Sequence, residues 1–578
     1  MNKLYDKKQK DLTAWGLAAA TLLLCLVRLV LAAQGRLFLE PENSPIDDQM
    51  MYDAAVSITK GNWLGEYAYN RIAKQMFFSV WLALEHTLGV PYLIGNAALG
   101  LLGAWTMAAA LRPLVQKRRR VLLIFGLLAY CPVNFDQYNY RVYRDSITVS
   151  LMLLALGGMV GCVLRLLLPE RERRPVDRWL YAAVGGLGLG ASWLNREDGV
   201  WLLPFFGCIT VLCAVVLLKK DGLRRAGRAL AVLLVPFVLL GGCLAAYAGM
   251  NQKYYGRFIL SDLTSDDFVT AYGLLTGIED EGTGRYRPIT YATRQKLYEN
   301  SGFFAALEPY WDAPTVLNGY GNKETHEFYG SYYYALRLAN QFAGQYVDAS
   351  ETADFYRQIT AELLRLEEAG VITIAHRSKT TVPYWRQEYL LPTLQETGSG
   401  ITMALLCREF ECRPWFSIFS RDDLVAGMQD FLGGRIVVPN VYAAGTDRPY
   451  YNLLQRAAFG FEDALCLLWR ILILPAVAVG LWMACRGGKN GFALLSGKRA
   501  MCEAERNRAA FAVWVLLWGL LLTALLRCGL MAYMEVTAFN IGTYLMYLST
   551  ATPLLGLFGL LGVFALSDGL REKNGPSV

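Results

Sequence analysis

Long apolar stretches alternate with short polar loops along most of the chain, and this pattern predicts helices that cross a membrane. A helix needs roughly 20 mostly apolar residues to span a bilayer core, and about ten stretches approach that length. The predicted spans are Ala14–Ala33, Pro91–Leu111, Val121–Phe135, Ser146–Leu168, Tyr181–Leu194, Gly199–Leu218, Ala229–Met250, Ala464–Cys485, Ala510–Leu530 and Ile541–Leu566. A shorter apolar run, Met76–Leu84, predicts an interfacial helix.

Clusters of Lys and Arg orient the spans, because basic residues beside short loops stay on the cytoplasmic side. The clusters are Lys3–Lys10, Lys117–Arg120, Arg165–Arg178, Lys219–Arg228, Arg486–Arg508 and Arg571–Lys573. With ten spans all of them fall on one side, which predicts a multi-pass protein of the cell membrane with cytoplasmic N- and C-termini. A chain that is 54% hydrophobic and only 18% charged is not an ordinary soluble enzyme. Its net charge of +7 reflects this topology and predicts no binding of nucleic acid.

The chain divides into three predicted parts. Residues 1–250 form a seven-span membrane module whose first outer loop covers 34–75. Residues 251–459 form a large, mainly helical extracytoplasmic domain between spans seven and eight, and residues 460–578 supply three more spans and a cytoplasmic tail. The expected fold class is therefore an all-α polytopic membrane protein.

Two local patterns predict structure within these parts. Apolar Phe355, Ile359 and Leu363 recur at helical spacing, so Ser350–Glu368 is predicted to be an amphipathic helix. The glycines of Gly186–Gly190 imitate a dinucleotide-binding loop, but they lie in an apolar span. Close helix packing explains them better.

The predicted outer domain is dense in aromatic residues. They are Tyr298, Tyr310, Trp311, Tyr329, Tyr332, Tyr333, Tyr334, Tyr384, Trp385 and Tyr389. Such residues stack on sugar rings, rest in the headgroup layer of a membrane, or form a protein core. The sequence leaves these three alternatives open.

The first outer loop carries the most informative chemistry. Asp47 and Asp48 follow the first span, and Lys74 lies just before the short apolar run. A carboxylate near the membrane surface can remove the proton of an acceptor hydroxyl. A cation close to it can stabilise a departing phosphate. The alternative is a solvated loop in which an aspartate caps a helix.

The loop resembles the first extracytoplasmic loop of GT-C-type glycosyltransferases of the protein mannosyltransferase, aminoarabinose transferase and family 39 type. The residues that carry the resemblance are Asp47 or Asp48, Tyr52, Gly61, Tyr67, Lys74 and Phe77–Leu84. Gln75 and Met76 stand where prolines are common in that family. The resemblance implies a GT-C-like fold and inverting transfer of a sugar from a polyprenyl-phosphate donor, with Asp47 or Asp48 as general base and Lys74 on the donor phosphate.

Two later stretches carry the same resemblance. Gly188–Asp198 resembles the family's glycine-rich span that ends in an arginine and an acidic residue, and Tyr544–Pro553 resembles its last core span. Arg196 and Arg527 are accordingly candidates for the donor phosphate, and Glu197 and Asp198 for acceptor or metal. Interfacial anchoring is the alternative for residues 196–198. The middle domain resembles only uncharacterised bacterial membrane proteins, and this resemblance indicates no substrate.

The short loop between the third and fourth predicted spans holds a further charged cluster. It contains Asp136, Arg141, Arg144 and Asp145. In the enzymes that this chain resembles, a second carboxylate from this region helps to bind metal or acceptor, which implies such a role for Asp145 or Asp136, with Arg144 on the donor phosphate. The alternative is a salt bridge that caps the fourth span.

These interpretations together predict a membrane glycosyltransferase. Its partners would be a lipid-linked sugar donor, membrane lipids and an envelope glycan, lipid or protein acceptor, with a divalent cation, Mg or Mn, as the cofactor to consider. Two alternatives stay open: a transporter or flippase of lipid-linked sugars, and a non-catalytic envelope protein whose outer domain binds a ligand.

Overall fold

The computed structural model describes residues 2–574 except 42–44, 172–173, 175, 281, 283–285, 331, 376–384, 438–450, 497–501, 540–541 and 543. Helices dominate this part of the chain, and it contains isolated β-bridges but no β-strand. The chain is an all-α polytopic membrane protein, as its apolar pattern predicts.

The first half of the chain contributes nine α-helices. They are α1 (Asn2–Gln34), α2 (Met50–Thr59), α3 (Phe77–Thr87), α4 (Tyr92–Ala110), α5 (Arg112–Val115), α6 (Arg118–Ala129), α7 (Asp145–Leu167), α8 (Asp177–Asn195) and α9 (Leu203–Tyr255). Helix α9 consists of two arms, because Gly222 has φ 70° and ψ 167° and breaks the helical path between them. The short apolar run that predicted an interfacial helix forms α3.

The second half contributes mostly short helices, followed by three longer C-terminal ones. They are α10 (Asp266–Thr276), α11 (Tyr291–Asn300), α12 (Gly302–Ala305), α13 (Glu308–Trp311), α14 (Pro314–Tyr320), α15 (Tyr332–Phe342), α16 (Ala349–Glu368), α17 (Leu390–Leu406), α18 (Asp422–Leu432), α19 (Leu453–Ser496), α20 (Glu505–Met534), α21 (Leu545–Leu548) and α22 (Ala551–Asn574). Helix α16 confirms the predicted amphipathic helix, and its apolar side chains are buried.

Among the described residues, eight helical segments are long and apolar enough to cross a membrane. They correspond to eight of the ten predicted spans. The third predicted span is a pair of segments, Arg118–Ala129 and Pro132–Tyr140, bent by 51°. Pro132 explains the break, since proline removes a backbone donor and disfavours helix at the preceding residue. The fifth corresponds to α8, whose many glycines lower its hydropathy.

Helix α8 nevertheless runs antiparallel to α7 along its whole length. A Cβ built on Gly158 would lie 2.1 Å from the backbone nitrogen of Gly185, and one on Gly188 would lie 2.6 Å from that of Ala155. At the helix ends, the Asn195 side chain donates to the Thr148 hydroxyl at 3.0 Å. The glycines permit this close approach, which confirms the packing role predicted for them.

Charged groups collect at the two opposite ends of the bundle. At one end, Arg120 pairs with Asp568 at 2.6 Å, and Arg508 pairs with Glu170. These arginines belong to the basic clusters that predict the cytoplasmic side. At the other end, where α7 begins and α8 ends, lie the first loop and the residues that suggested a catalytic site.

The segment predicted as the outer domain has its own core, and one of its helices also enters the bundle. The core includes Phe268, Trp311 and Ile359. Helix α17, by contrast, packs against α20, α21 and α22, and Thr552 donates to the carbonyl of Ala404 at 2.9 Å. The apolar run at Leu390–Leu406 therefore joins the membrane core.

Candidate functional site

The two neighbouring aspartates of the first loop point to different surroundings. Both lie on a π-helical turn, Pro45–Gln49, that precedes α2, and such turns occur often at functional sites. The Asp48 side chain is 0% exposed and receives a hydrogen bond from Nε of Arg141 at 2.9 Å. Asp47 instead borders a large cavity. The π-turn thus separates the two residues that the sequence treats as rivals.

Lys74 lies opposite Asp47 on the segment that leads into α3. Its ammonium pairs with the Asp47 carboxylate and donates to the carbonyl of Ile46 at 3.1 Å. The same ammonium lies 5.5 Å from the ring centre of Tyr334. The two ends of the first loop are therefore held together at one point of the cavity.

The loop before α7 and the turn after α8 bring further charges to this point. Arg144 donates to Glu197 at 2.8 Å, and the backbone nitrogen of Gln75 donates to the same carboxylate at 3.1 Å. Asn195 holds the carbonyl of Arg144 at 3.0 Å. These contacts tie three loops together that are far apart in sequence.

A chain of alternating charges runs from the cavity into the bundle. Arg196 pairs with Asp145 and donates to both oxygens of Asp198, at 3.1 and 3.2 Å. Arg527 of α20 donates to Asp198 at 2.6 Å and to the carbonyl of Tyr547 at 3.0 Å. Charges buried at this depth are tolerated when they are paired, and here every member has a partner.

The cavity has a volume of about 1510 Å³ and six of the nine predicted site residues line it. Those six are Asp47, Lys74, Arg144, Arg196, Glu197 and Asp198. Asp48, Asp145 and Arg527 lie behind the lining, each paired with an oppositely charged side chain. The volume exceeds the roughly 300–1,000 Å³ of ordinary small-ligand pockets, so it has room for two substrates.

The cavity wall has three chemically distinct regions. The charged residues form its floor, and the membrane helices contribute an apolar side that includes Val200, Leu530 and Met534. Tyrosines form the third region, which we call the tyrosine wall. Its members are Tyr286, Tyr320, Tyr329, Tyr333 and Tyr334.

Tyr329, Tyr333 and Tyr334 belong to the aromatic set that the sequence offered for sugar stacking, whereas Tyr286, Tyr320 and the apolar side were not predicted. Tyr547, which also lines the cavity, could have been found, since it belongs to the stretch that resembles the family's last core span. Tyr143 also lines the cavity, and its ring lies 5.8 Å from the Arg144 guanidinium. The apolar residues carry no local signal, because a lipid-facing side chain and a cavity-facing side chain look alike in sequence.

Burial and charge act in opposite directions on the two aspartates. Burial raises the pKa of Asp47, but Lys74, Arg144 and Arg141 together outweigh it and hold the pKa below the ordinary value. Burial also raises the pKa of Asp48, and there Arg141 opposes it only in part, so the pKa is raised to about 6. Asp47 is therefore the carboxylate that stays ionised while it faces the cavity.

The carboxylates at the site do not form a metal-binding set. Among the residues that the structure describes, no three His, Cys, Asp or Glu side chains converge on one point. Asp47, Glu197 and Asp198 are each paired with Lys or Arg, which a hard cation would have to displace. In this arrangement Mg²⁺ or Mn²⁺ would have to compete with basic side chains for each carboxylate.

Comparisons with known proteins give little further guidance. No protein-family model matches the sequence, and no curated protein matches it. The crystal structure of ArnT from Cupriavidus metallidurans in the apo state is similar over 95% of this chain and 78% of that one, with 12% sequence identity and a TM-score of 0.29. At that identity and TM-score the similarity carries no functional information.

Proposed function

We propose that this protein is a GT-C-type membrane glycosyltransferase that moves a sugar from a polyprenyl-phosphate donor to an extracytoplasmic acceptor. One observation carries the proposal: Asp47, Lys74 and Arg196 come from three separate segments and line a single cavity. That cavity combines a general-base candidate, phosphate-binding cations and an apolar side, which are the parts that this reaction needs.

The donor would lie across the floor and the apolar side. Lys74, Arg144 and Arg196 are the cations that would bind its phosphate. The lipid tail would extend along Val200, Leu530 and Met534. Val200 is 48% exposed and lies in a segment that is long and apolar enough to cross a membrane, and we propose that the apolar side opens towards lipid there. A prenyl chain would then reach the floor from the bilayer without crossing water.

The Lys74–Asp47 pair suggests how donor binding prepares the base. A phosphate on the floor competes with Asp47 for the Lys74 ammonium. Asp47 then loses the strongest influence that lowers its pKa and becomes a better proton acceptor. The base would thus be activated only when the donor is present.

The reaction is a single displacement at the anomeric carbon. The acceptor oxygen forms the new bond to that carbon while the bond to the phosphate oxygen breaks, which inverts the configuration. The acceptor proton goes to Asp47, and the electron pair of the broken bond stays on the polyprenyl phosphate. Lys74 and the two arginines stabilise the charge that develops there.

The test is transfer by the purified full-length protein with a panel of polyprenyl-phosphate sugars and envelope acceptors. Asp47→Asn should lower turnover by about a hundredfold or more, and Lys74→Met should weaken use of the donor. Asp53→Asn and Lys60→Met are matched controls, because these residues lie in the same loop but do not line the cavity. Full activity of Asp47→Asn would remove Asp47 as the base.

The same preparation tests the transporter alternative. Movement of a lipid-linked sugar across liposomes without covalent transfer would overturn the proposal. The charge distribution disfavours that alternative, because transporters place their binding groups near the bilayer midplane. Here the charged residues of the cavity lie at one end of the bundle.

A further inference from the structure

Backbone hydrogen bonds between separate segments hold the tyrosine wall together. The backbone nitrogen of Tyr329 donates to the carbonyl of Tyr320 at 3.3 Å, and that of Gly330 donates to the carbonyl of Tyr286 at 3.1 Å. Gly330 has φ 63°, which glycine adopts without strain, so the chain can turn there. These bonds bring together three tyrosines from separate segments.

Apart from Tyr334, which is buried in the core of the outer segment, the tyrosines of the wall differ from the core aromatic residues. Tyr298, Trp311 and Tyr332 are buried in its core. Tyr329 is 41% exposed and lies against the cavity, and Tyr333 lies 4.7 Å from Tyr334 between ring centres. Trp385 instead stacks on Tyr533, and Tyr384 lies outside the described residues. Only part of the aromatic set therefore serves as core.

Among the residues that the structure describes, few charged side chains lie on this side of the cavity, and their charges balance. Asp266 and Arg287 are its charged members, and the Arg287 guanidinium lies 5.9 Å from the ring centre of Tyr329. The floor, by contrast, carries six charged side chains. A polyanionic ligand would find no excess of cations among the described residues of the wall, and this balance favours a neutral ligand with many hydroxyl groups.

We propose that the tyrosine wall is a carbohydrate-binding subsite and that it holds the acceptor as a neutral glycan; the acceptor role rests on the proposed function. The C–H faces of sugar rings lie flat on tyrosine rings and remove apolar area from water. Ring hydroxyl groups can bond to Asp266 and Arg287 at the edge. Among glycan, lipid and protein acceptors, this selects the glycan.

The position of the wall agrees with this role. Tyr334 contacts Lys74 on the floor, and Tyr329 is exposed at the outer side. A glycan that enters from solvent at the exposed Tyr329 and follows the half-buried tyrosines would present its terminal hydroxyl group beside Asp47. The donor would reach the same point from the apolar side, so the two substrates meet without crossing.

The test is binding of the detergent-purified full-length protein to an array of neutral and acidic oligosaccharides, followed by affinity titration of the strongest neutral binder. Tyr329→Ala and Tyr333→Ala should each weaken binding roughly five- to tenfold. Tyr329→Phe should retain it, because the ring face remains. Tyr310→Ala is the matched control, since Tyr310 is 38% exposed on the same segment but outside the cavity.

Three results would overturn the inference: no neutral glycan binds, the alanine variants bind as well as the unchanged protein, or the same variants lose binding to phospholipid vesicles instead. Because binding is measured without any donor, it is independent of catalysis. Glycan binding with no sugar transfer would refute the proposed function alone. Transfer without glycan binding would refute this inference alone.

Discussion

Asp48 and Arg141 form a buried pair in which the guanidinium Nε lies 2.9 and 3.0 Å from the two carboxylate oxygens. Because the Asp48 side chain is fully buried against Arg141, it cannot reach the hydroxyl group of a substrate in the cavity. Its neighbour Asp47 faces the cavity. The two consecutive aspartates therefore have different roles: Asp48 holds a loop, and Asp47 is available for chemistry in the cavity.

This division predicts a pH-dependent stability that belongs to Asp48. Its folded-state pKa of about 6 lies above the ordinary aspartate value of about 3.9. Between these values the folded state binds the additional proton, so the contribution of Asp48 to stability rises as the pH falls from 7 towards 5. Asp48→Asn should lack that gain in thermal unfolding in detergent. Equal pH responses of the two proteins would contradict this assignment.

The Lys74–Asp47 pair predicts a shift in the pH dependence of activity. In the free protein the cations hold the pKa of Asp47 below its ordinary value, so the acid limb of kcat/KM should lie at lower pH than for an unperturbed aspartate. The acid limb of kcat should lie higher, because bound phosphate draws Lys74 away. Lys74→Met should shift the acid limb of kcat/KM to higher pH, while Lys60→Met should leave its position unchanged. An unchanged profile in Lys74→Met would mean that the pair does not control the base.

Arg527 should support the site from behind it, through Asp198. Its side chain is 1% exposed, and removal of one partner from a buried ion pair costs about 3–5 kcal/mol. Arg527→Met should therefore lower the unfolding midpoint strongly. In a double-mutant cycle with Asp198→Asn, the second substitution should cost much less than it does alone. Additive losses would show that the two residues act independently.

Close packing of α7 and α8 predicts a steric effect on the site. A Cβ on Gly188 would lie 2.6 Å from the backbone of Ala155, so Gly188→Ala should destabilise the protein by about 1–3 kcal/mol. It should also lower transfer, because α8 leads directly into Arg196. Gly207→Ala is the control, since no atom lies within 4 Å of the Cβ that it would add. Equal unfolding midpoints for the two variants would argue against tight packing.

The pairing of the carboxylates predicts that transfer does not depend on a divalent cation. Glu197 and Asp198 already balance Arg144 and Arg196, and the proposed reaction uses cationic side chains on the phosphate. Activity should persist after treatment with EDTA and stay unchanged when Mg²⁺ or Mn²⁺ is added. If EDTA abolished activity and Mg²⁺ restored it, these carboxylates would have to leave their arginines and bind a metal ion.

Much of the architecture could be predicted from the chain because it depends on local pattern. The lengths of the apolar stretches predicted all eight described segments that are long and apolar enough to cross a membrane, and helical spacing of apolar residues predicted α16. The place of α8 in the bundle was less predictable, because its hydropathy is limited. It depends on packing, since α8 is accommodated by glycines that lie directly on α7.

By itself, the sequence determined that this protein is a helical membrane protein and that its polar residues cluster in a few loops, because solvent preference and helix period are properties of short segments. Only the tertiary structure decided which charged residues face the cavity. Asp47 and Asp48 are adjacent in sequence, and a single π-turn sends one to the cavity and the other to Arg141. Such a choice depends on partners more than 90 residues away in the chain, which no local pattern encodes.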